Sequence, residues 1–452
     1  MTAGSVIVVG GGLAGIAAAL DCAEHGAAVT LLESRGRLGG QAYSFERDGQ
    51  LADNGQHVFL RCCTEYRGLV QRLGAGSMVT LQDRLDIAVM GVGGRRGRLR
   101  RTGLPVPLHL AGSLVRYRFL TPRGRLSAAR AMQALARVDV DDPASDARTF
   151  GDWLREHGQD ARSSEALWDL ITRSTVNLTC DQASLAQAAY VFQEGLLSAN
   201  DAGDLGHATV PLSKIHDVAA RAALQRAGVE VRLRTGVAAI EPGFTVALSG
   251  AGSPTLAADA VVLAVGPSRM ASLLPPGTGV DPASLHDLGE SPIVNVHVVY
   301  DRPVLDVPFA AGVGTPLQWI FDRTASHGVT DGQYLVVTLS AADEELAMSG
   351  EAILERYLAA LGELVPATAS ARVVRAFVTR DHAATFRAAP GQRSLRPAAA
   401  TALPGLALAG AHTDTGWPAT MEGAVRSGRA AARVVLAGGP AASSDVSLAE
   451  AA

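Results

Sequence analysis

The chain has little lysine, few aromatic residues and few cysteines, and these shortages limit the kinds of site that it can contain. Only one of its 40 basic residues, Lys214, is a lysine, and aromatic residues make up 5% of the 452 positions. This leaves little material for an aromatic cage around a substrate amine. The four cysteines, Cys22, Cys62, Cys63 and Cys180, have no C-x-x-C spacing. We therefore expect neither a disulfide framework nor a metal site, and we expect a reducing cytosol.

Signals for membrane insertion and for nucleic-acid binding are also missing. No stretch reaches the 18 apolar residues of a spanning helix, and the first residues lack the pattern of a signal peptide. We expect a cytoplasmic protein that meets a membrane only peripherally, on its inner face. Forty basic and 44 acidic residues give a net charge of −4, so no global field attracts nucleic acid.

Apolar residues and glycine, by contrast, are abundant. Apolar residues make up 48% of the chain, charged residues 19%, and 49 residues are glycine, which is typical of a globular protein with a large interior. Because single cores stop growing beyond roughly 250–300 residues, the length predicts two to three domains. Residues 439–452, rich in alanine and serine, are expected to form a disordered tail.

Strand and helix signals alternate in three separated segments. We assign residues 1–90, 205–290 and 390–438 to one discontinuous α/β domain of Rossmann-like type. Residues 91–204 are predicted to be mainly helical, whereas 291–389 include strands rich in Val, Ile and Tyr. The sequence therefore predicts an α+β substrate domain inserted into a nucleotide-binding domain.

A glycine-rich turn lies between the first predicted strand, Val6–Val9, and the first predicted helix. Residues 10–15 read Gly-Gly-Gly-Leu-Ala-Gly, where glycines let the backbone approach a pyrophosphate and the helix N-terminus supplies N–H donors. Eighteen residues later Glu33 ends the next strand, where its carboxylate is placed to accept hydrogen bonds from ribose hydroxyls. Together these features predict a dinucleotide site.

Two further features favour a flavin nucleotide over a nicotinamide one. Arg35, Arg37 and Gly39-Gly40 follow the ribose acid directly, which suits close approach to a ligand that extends beyond the pyrophosphate. Near the other end, Gly410 follows a predicted strand, and the segment from Trp417 opens the last predicted helix, with Pro418 in its first turn. Free N–H groups there are suited to the N1/O2 edge of an isoalloxazine, and the helix dipole would stabilise an anionic reduced flavin.

Several stretches resemble a known family. The turn at residues 10–15, Glu33 and the run 37–40 are similar to the flavin amine oxidase and phytoene desaturase superfamily. Further stretches resemble the hydroxysqualene dehydroxylases, the squalene-associated FAD-dependent enzymes of bacterial hopanoid synthesis. These stretches are Asp53-Asn54-Gly55-Gln56-His57-Val58, Glu194-Gly195-Leu196-Leu197, Ser291-Pro292-Ile293-Val294-Asn295-Val296, Gln318-Trp319-Ile320-Phe321-Asp322-Arg323 and Gly416-Trp417-Pro418-Ala419-Thr420-Met421-Glu422-Gly423. The likeness runs from about residue 5 to 436 and is weakest in the arginine-rich insertion.

The resemblance implies a flavin amine oxidase-like fold, FAD as cofactor, and reductive removal of the hydroxyl of hydroxysqualene to give squalene. An allylic hydroxyl is a poor leaving group, so a general acid must protonate it while reduced flavin supplies hydride. We take His57 and Asp53 as the catalytic candidates; the alternative is that they fix the loop or contact FAD. The residues expected to bind FAD are Gly10, Gly12, Leu13, Ala14, Gly15, Glu33, Ser34, Arg35, Arg37, Gly39, Gly40, Gln41, Gly55, Gln56, Val237, Gly410, Ala411, Ala419, Thr420 and Met421.

Two positions depart from the pattern of the superfamily. Gln41 stands where many members have an arginine after the paired glycines, which replaces a charged phosphate contact by a neutral one. Ala411 follows Gly410 where relatives commonly have an acidic residue. We expect the lost acceptor to weaken FAD binding by about 1–1.5 kcal/mol unless Asp414 or water replaces it.

The region from Ile87 to Val138 contains eleven arginines and no acidic residue, interleaved with leucines and aromatics. Such a surface is suited to anionic lipid headgroups, which fits a substrate that resides in a bilayer. The alternative is a solvated basic face or one paired with acids elsewhere.

Other functions on the same scaffold stay open at this stage. A polyene desaturase of the phytoene type would run the flavin in the opposite redox sense. An amine oxidase is disfavoured because Lys214 opens a helix of the nucleotide domain rather than facing the flavin. A prenyl-carrier protein would not need a complete phosphate fingerprint. The electron donor, either NAD(P)H or a separate reductase, is not determined by the sequence.

Overall fold

A computed structural model describes residues 4–250, 252 and 254–438. The predicted tail 439–452 lies outside the described residues. Within them, the strands are β1 (Ser5–Val9), β2 (Ala28–Leu32), β3 (Ser44–Arg47), β4 (Gln50–Asp53), β5 (Val58–Leu60), β6 (Val79–Leu81), β7 (Asp86–Gly91), β8 (Arg95–Arg100), β9 (Leu205–Ala208), β10 (Glu230–Arg232), β11 (Val237–Glu241), β12 (Thr245–Leu248), β13 (Thr255–Ala257), β14 (Ala260–Leu263), β15 (Glu290–Tyr300), β16 (Phe309–Val313), β17 (Trp319–Asp322), β18 (Gln333–Ser340), β19 (Val373–Phe386) and β20 (Leu406–Leu408).

Helices cover the sheets and fill the first insertion. They are α1 (Leu13–Glu24), α2 (Thr64–Arg72), α3 (Ala111–Arg116), α4 (Pro122–Leu135), α5 (Pro143–Asp146), α6 (Phe150–Glu156), α7 (Ala161–Ser163), α8 (Asp169–Val176), α9 (Leu185–Phe192), α10 (Ala220–Arg226), α11 (Pro267–Leu273), α12 (Pro282–Asp287), α13 (Asp343–Leu346), α14 (Gly350–Leu364) and α15 (Met421–Ala437). Three π-helical turns are Ser164–Trp168, Gln193–Leu197 and Lys214–Ala219. In the part of the chain that is described, no helix is long and apolar enough to cross a membrane.

The nucleotide-binding half is a parallel five-stranded sheet in the order β10-β2-β1-β14-β20. The chain enters at the central strand β1, crosses through α1 to β2, and returns much later to supply the outer strands. Strands buried on both faces read as continuous apolar runs, as in Val6–Val9 and Ala260–Leu263. The fold is therefore α/β with a discontinuous Rossmann-like domain, as the sequence predicted.

The first and last helices pack against each other at very close range. A Cβ atom placed on Gly428 of α15 would overlap the carbonyl of Ala14 in α1. This contact brings the start of α15 beside the glycine-rich turn, although the two are about 400 residues apart along the chain. The close packing of Gly428 on Ala14 thus brings the two predicted flavin motifs into one region.

The substrate half contains a seven-stranded sheet in the order β19-β15-β18-β17-β16-β7-β8. Strand β7 pairs in parallel with β16 through Ala310↔Ala88, so residues 86–91 belong to this sheet rather than to the nucleotide domain. We move the first proposed boundary from residue 90 to about 85 and keep the rest of the division as a proposal. The insertion also begins with strand β8, although we expected it to be mainly helical.

Candidate active site

The turn between β1 and α1 requires glycine for steric reasons. Gly10 has a φ of +109°, and a Cβ atom there would overlap the carbonyl of Ala264 in the neighbouring strand. A Cβ atom on Gly15 would overlap the carbonyl of Gly10 itself. The turn can keep its shape only with glycine at both positions.

The first turn of α1 presents backbone donors. The first intrahelical hydrogen bond runs from the N–H of Ile16 to the carbonyl of Gly12 at 2.9 Å. The N–H groups of Leu13, Ala14 and Gly15 therefore have no carbonyl partner inside the helix, and these three residues are buried. Such a set of donors suits the oxygens of a pyrophosphate.

Glu33 is buried at the end of β2 with 8% of its surface exposed. Its Oε2 accepts a hydrogen bond from the N–H of Gly11 at 2.7 Å, and its Oε1 accepts from the N–H of Arg35 at 2.7 Å and the hydroxyl of Ser34 at 3.2 Å. A carboxylate has about four lone-pair sites, so it retains acceptor capacity for ribose hydroxyls. Ser34 and Arg35 themselves are exposed.

Val237 lies close to this acid. It begins β11 and is buried, with 4% of its surface exposed. Two residues earlier, the N–H of Thr235 donates to the carbonyl of Glu33 at 2.8 Å. The guanidinium of Arg269 donates to the carbonyl of Val237. The tertiary structure thus places Val237 near Glu33, the expected ribose-binding acid. A contact between Val237 and FAD stays a prediction.

Arg37 has a buried N–H donor beside the paired glycines that makes no hydrogen bond within the described residues. Its guanidinium stacks 3.4 Å from the centre of the Tyr43 ring, and its Nη1 donates to the carbonyls of Leu38 at 3.2 Å and Gly40 at 3.1 Å. Its Nη2 is buried and has no hydrogen-bond partner among the residues described. A buried donor of this kind fits an anionic or carbonyl acceptor supplied by a bound nucleotide.

The loop that carries the paired glycines is held against the turn. The N–H of Gly39 donates to the carbonyl of Gly11 at 2.9 Å. Gly40 has a φ of +56°, and a Cβ atom on it would lie 2.9 Å from the Cα of Gly12. Any larger residue at position 40 would push the loop away from the nucleotide turn.

Two residues that sequence reasoning missed fix the same loop from behind. Asp217 accepts from the N–H of Leu38 at 3.0 Å. His216 lies with Nδ1 3.0 Å from the carbonyl of Ala42 and Nε2 3.0 Å from the hydroxyl of Tyr66. Burial lowers the pKa of His216 to about 4, so it is neutral at pH 7. Both residues lie in a π-helical turn, which often marks functional sites, but the sequence there reads as an ordinary helix.

Gln41, which replaces the arginine of many relatives, points away from the glycine turn. Its side-chain amide donates to the carbonyl of Ala383 in β19 at 2.5 Å, and the residue is exposed. Gln56 is different, because its Nε2 is buried without a partner in the described part of the chain. Gly55 precedes it and is buried.

Asp53 is buried, with 1% of its surface exposed. It accepts from the hydroxyl of Ser44 at 2.7 Å and the N–H of Leu212 at 3.0 Å, and it lies 3.5 Å from Arg323 and 3.4 Å from His327. Burial raises its pKa, but the contacts with His327, Ser44 and Leu212 outweigh this and hold the pKa below its ordinary value. An ionised carboxylate has no proton to donate. The geometry favours our alternative, in which Asp53 fixes the loop.

His57 is half-buried, and its Nδ1 lies 3.2 Å from the carbonyl of Gly55. Burial lowers its pKa more than the Gly55 carbonyl and nearby carboxylates raise it, so the imidazole is neutral at pH 7. Its neighbours Gln56 and Val58 line the cavity described below, and His57 is not among the lining residues. A proton-donor role for His57 stays a prediction.

The loop after β20 is organised by a buried arginine that the sequence did not reveal. The guanidinium of Arg396 donates to the carbonyls of Thr413 at 2.6 Å, Trp417 at 2.8 Å, Ala411 at 3.3 Å and His412 at 3.4 Å. Burial lowers its pKa to about 10, so it stays charged at pH 7. Arg396 folds the backbone after Gly410, and Ala411 takes part through its carbonyl.

The last helix begins later than predicted. Met421 is its first residue, and the hydroxyl of Thr420 caps it by accepting from the N–H of Gly423 at 3.1 Å. Pro418 is therefore not in the first turn but precedes the cap. The prediction failed because a threonine cap decides the start more strongly than a proline does. The N–H groups of Met421 and Glu422 remain in the unpaired first turn, with Ala419 half-buried just before them.

An apolar cavity of about 400 Å³ reaches this helix start. Its lining includes Gln56 and the segment Trp417, Pro418, Thr420 and Met421. It also includes the partly exposed turn 107–114 of the helical insertion and strands of the seven-stranded sheet. The volume lies in the range of ligand pockets, and the wall suits an elongated hydrocarbon.

The pattern of the flavin-containing amine oxidoreductases matches residues 13–436. The chain belongs to this family. A hydroxysqualene dehydroxylase from Rhodopseudomonas palustris is 30% identical over 97% of this chain and 99% of its own length. A zeta-carotene desaturase from Synechocystis is 26% identical over 96% of this chain and 97% of its own length. The resemblance to hydroxysqualene dehydroxylases is thus confirmed along the chain.

Solved structures share the fold of this family member. A putrescine oxidase superposes with a TM-score of 0.71 at 20% identity, covering 96% of this chain and 99% of its own. Cyclohexylamine oxidase from Brevibacterium oxydans gives 0.69 at 19% identity, with the same coverage. These identities show the flavin amine oxidase-like fold alone. The protein is an FAD-dependent oxidoreductase, and the donors around residues 10–15 and 37 fit that cofactor.

Proposed function

We propose that this oxidoreductase removes the hydroxyl of hydroxysqualene and forms squalene. The observation that carries the proposal is the apolar cavity, whose lining includes Gln56 and the Trp417–Met421 segment expected to contact the flavin. The identity to a hydroxysqualene dehydroxylase across nearly the full length supports the same substrate class. Bound FAD, once reduced, supplies the hydride.

The residues of the chain provide binding, orientation and exclusion of water. The first turn of α1, Glu33 and Arg37 would hold the nucleotide, and the free N–H groups at the start of α15 would stabilise negative charge on a reduced flavin. The apolar wall holds the polyene and keeps water from the reacting carbon. Exclusion of water strengthens every electrostatic interaction at the hydroxyl.

A polyene desaturase is the second candidate, because a zeta-carotene desaturase is also similar over 96% of this chain.

The test is anaerobic turnover: flavin-loaded protein is chemically reduced and incubated with hydroxysqualene in detergent, and products are resolved by mass. We expect squalene in proportion to flavin reoxidised. Folded, flavin-loaded protein that forms no squalene, but dehydrogenates a polyene with oxidised flavin, would refute the proposal in favour of the desaturase.

We also propose that the cavity opens toward an anionic membrane surface. Leu104, Leu108, Val115 and Leu126 are between 52% and 67% exposed, and Leu108 also lines the cavity. Several arginines of this region form no salt bridge within the described residues, namely Arg116, Arg118, Arg123, Arg130 and Arg137. Others are paired, as Arg101 is with Asp204 at 2.6 Å, so the paired-face alternative holds for part of the patch.

Co-sedimentation with vesicles tests this surface. We expect binding to phosphatidylserine vesicles that weakens at high salt, and weaker binding to phosphatidylcholine vesicles. A Leu108→Asp, Val115→Asp variant should lose binding. Val374→Asp is a matched control, because Val374 is 55% exposed on β19. Equal binding by wild type and the double variant would refute the proposal.

A further inference from the structure

A few polar side chains interrupt the apolar wall near Trp417. Cys62, Tyr190, Glu194 and Glu422 all line the cavity there. The Tyr190 ring packs edge-on against Trp417 with centroids 5.5 Å apart. Because Tyr190 contacts Trp417, at the segment where the flavin is expected, the chemistry of this group bears on the reaction.

Glu422 is engaged by three contacts within the protein. It is 1% exposed, and it accepts from the N–H of Tyr66 at 2.7 Å, from the N–H of Glu65 at 3.2 Å and from the Nε of Arg426 at 2.7 Å. It therefore binds the start of α2 and forms an ion pair with Arg426. Through these contacts Glu422 connects the start of α15 to the start of α2.

Tyr190 is a poor proton donor, and Cys62 is already engaged by its neighbour. Burial and the nearby carboxylate of Glu194 raise the pKa of Tyr190 far above its ordinary value, so the phenol holds its proton at neutral pH. The thiol of Cys62 is hydrogen-bonded to Cys63, and this contact lowers its pKa against the opposing effect of burial. Cys62 therefore already has a hydrogen-bond partner in the protein.

Glu194 has a free carboxyl group. No side-chain hydrogen bond or salt bridge ties it to any residue that the structure describes. It lies in the π-helical turn Gln193–Leu197 that follows α9. A Cβ atom on Gly203 would lie 2.6 Å from the carbonyl of Gly195, so close packing fixes this turn. The turn thus presents an unpaired carboxyl group to a cavity lined mostly by hydrocarbon.

We propose that Glu194 binds the hydroxyl of the substrate and donates the proton with which it leaves; this rests on the function proposed above. A protonated carboxyl group donates through its O–H while its other oxygen still accepts, so it can both bind a hydroxyl and pass a proton to it. In the step, the proton of Glu194 joins the hydroxyl oxygen, the carbon–oxygen bond breaks, and water departs. When bound, the reduced flavin would supply the hydride that takes the vacant position on the allylic carbon, and it would be oxidised in doing so. Glu194 is left as a carboxylate, which stabilises the positive charge that develops on the carbon.

Two substitutions separate binding from proton donation. Glu194→Gln keeps a group that hydrogen-bonds the hydroxyl but has no acidic proton, whereas Glu194→Leu removes both. We expect normal flavin content in both. Glu194→Gln should still bind hydroxysqualene more tightly than squalene, and Glu194→Leu should lose that preference, which we expect to be several-fold. Binding is measured with oxidised enzyme, without turnover.

The rate of squalene formation completes the test. We expect roughly a 10²–10⁴-fold loss in Glu194→Gln and partial recovery in Glu194→Asp. Glu355→Gln is the matched control: Glu355 is an exposed glutamate on α14 and does not line the cavity, so its rate should be unchanged. If the wild type forms squalene and Glu194→Gln forms it equally fast, the proposed role of Glu194 is overturned but the proposed function is not. Wild-type protein that binds flavin but forms no squalene would overturn the proposed function, and the inference with it.

Discussion

Asp53 offers the sharpest test of which acidic groups support the fold and which do chemistry. Replacing it with alanine removes the acceptor for two donors, the hydroxyl of Ser44 at 2.7 Å and the N–H of Leu212 at 3.0 Å. It also leaves the guanidinium of Arg323, whose side chain is 6% exposed, without its carboxylate 3.5 Å away. The variant therefore has two buried donors without their acceptor, and a buried charge that has lost its carboxylate and keeps a hydrogen bond to the carbonyl of Ala208 at 3.2 Å.

The size of the effect follows from those three losses. Breaking a buried ion pair by removing one member destabilises by about 3–5 kcal/mol, and each unsatisfied buried donor adds about 1–3 kcal/mol when no water reaches it. We expect Asp53→Ala to lower the free energy of unfolding by at least about 3 kcal/mol. Asp53→Asn keeps one acceptor oxygen, so its loss should be smaller, about 1–3 kcal/mol.

Urea unfolding followed by circular dichroism measures these changes, together with the flavin content of each variant. Asp48→Asn is the control, because Asp48 is on the same hairpin with its side chain 73% exposed, and it should be neutral. An Asp53→Asn protein with wild-type stability and flavin content but no turnover would refute our reasoning, because it would assign Asp53 to proton transfer.

The stability that Asp53 provides should also depend on pH in a defined direction. Its pKa in the folded protein lies below the ordinary value of 3.8, because contacts with His327, Ser44 and Leu212 outweigh the effect of burial. The unfolded chain therefore binds this proton first as the pH falls. The contribution is fully present above pH 3.8 and is lost as the pH falls through the lower, folded pKa. In the Asp53→Asn variant, the free energy of unfolding should therefore depend less on pH in this acidic range.

Three further substitutions test the cofactor site. Glu33→Ala should weaken FAD retention by about tenfold, since the acceptor for the Gly11 N–H and for the ribose is lost; unchanged flavin content after dialysis would contradict this. Gly15→Ala should yield protein purified without flavin and destabilised by about 1–3 kcal/mol or more, whereas a yellow, stable variant would show that the turn tolerates a methyl group. Arg396→Met leaves four carbonyl groups without their donor, so thermal unfolding should show a loss of about 2–4 kcal/mol and proteases should cut residues 410–417 faster; intact resistance would count against that role.

Local patterns in the sequence were sufficient for the nucleotide turn. Gly10, Gly15 and Glu33 stand at fixed spacings within one strand–helix–strand unit, so their geometry depends on neighbours close in the chain. The same holds for the parallel strands of this domain, which are buried on both faces and therefore read as continuous apolar runs. The cofactor class followed from these features and from the resemblance, and the family match over residues 13–436 confirms it.

Long-range contacts decided the rest. Asp53 was a catalytic candidate in the sequence, with fixing of the loop as the alternative. Its partners Arg323 and His327 are about 270 residues away, so only the tertiary structure reveals these contacts, which favour the alternative. Arg396 is not part of a recognisable sequence motif. Its acceptors are backbone carbonyls, which every residue has, so the sequence does not indicate this contact. Glu194 belongs to a stretch that resembles the family, but its unpaired position on a cavity wall depends on the packing of Gly195 against Gly203 and of α9 against α6 and α8. The sequence by itself determined the cofactor turn and the fold class, because both arise from short-range periodicity. The tertiary structure alone decided which acids, such as Asp53 and Glu422, are paired with distant groups, and that Glu194 lines the cavity with an unpaired carboxyl group among the residues described.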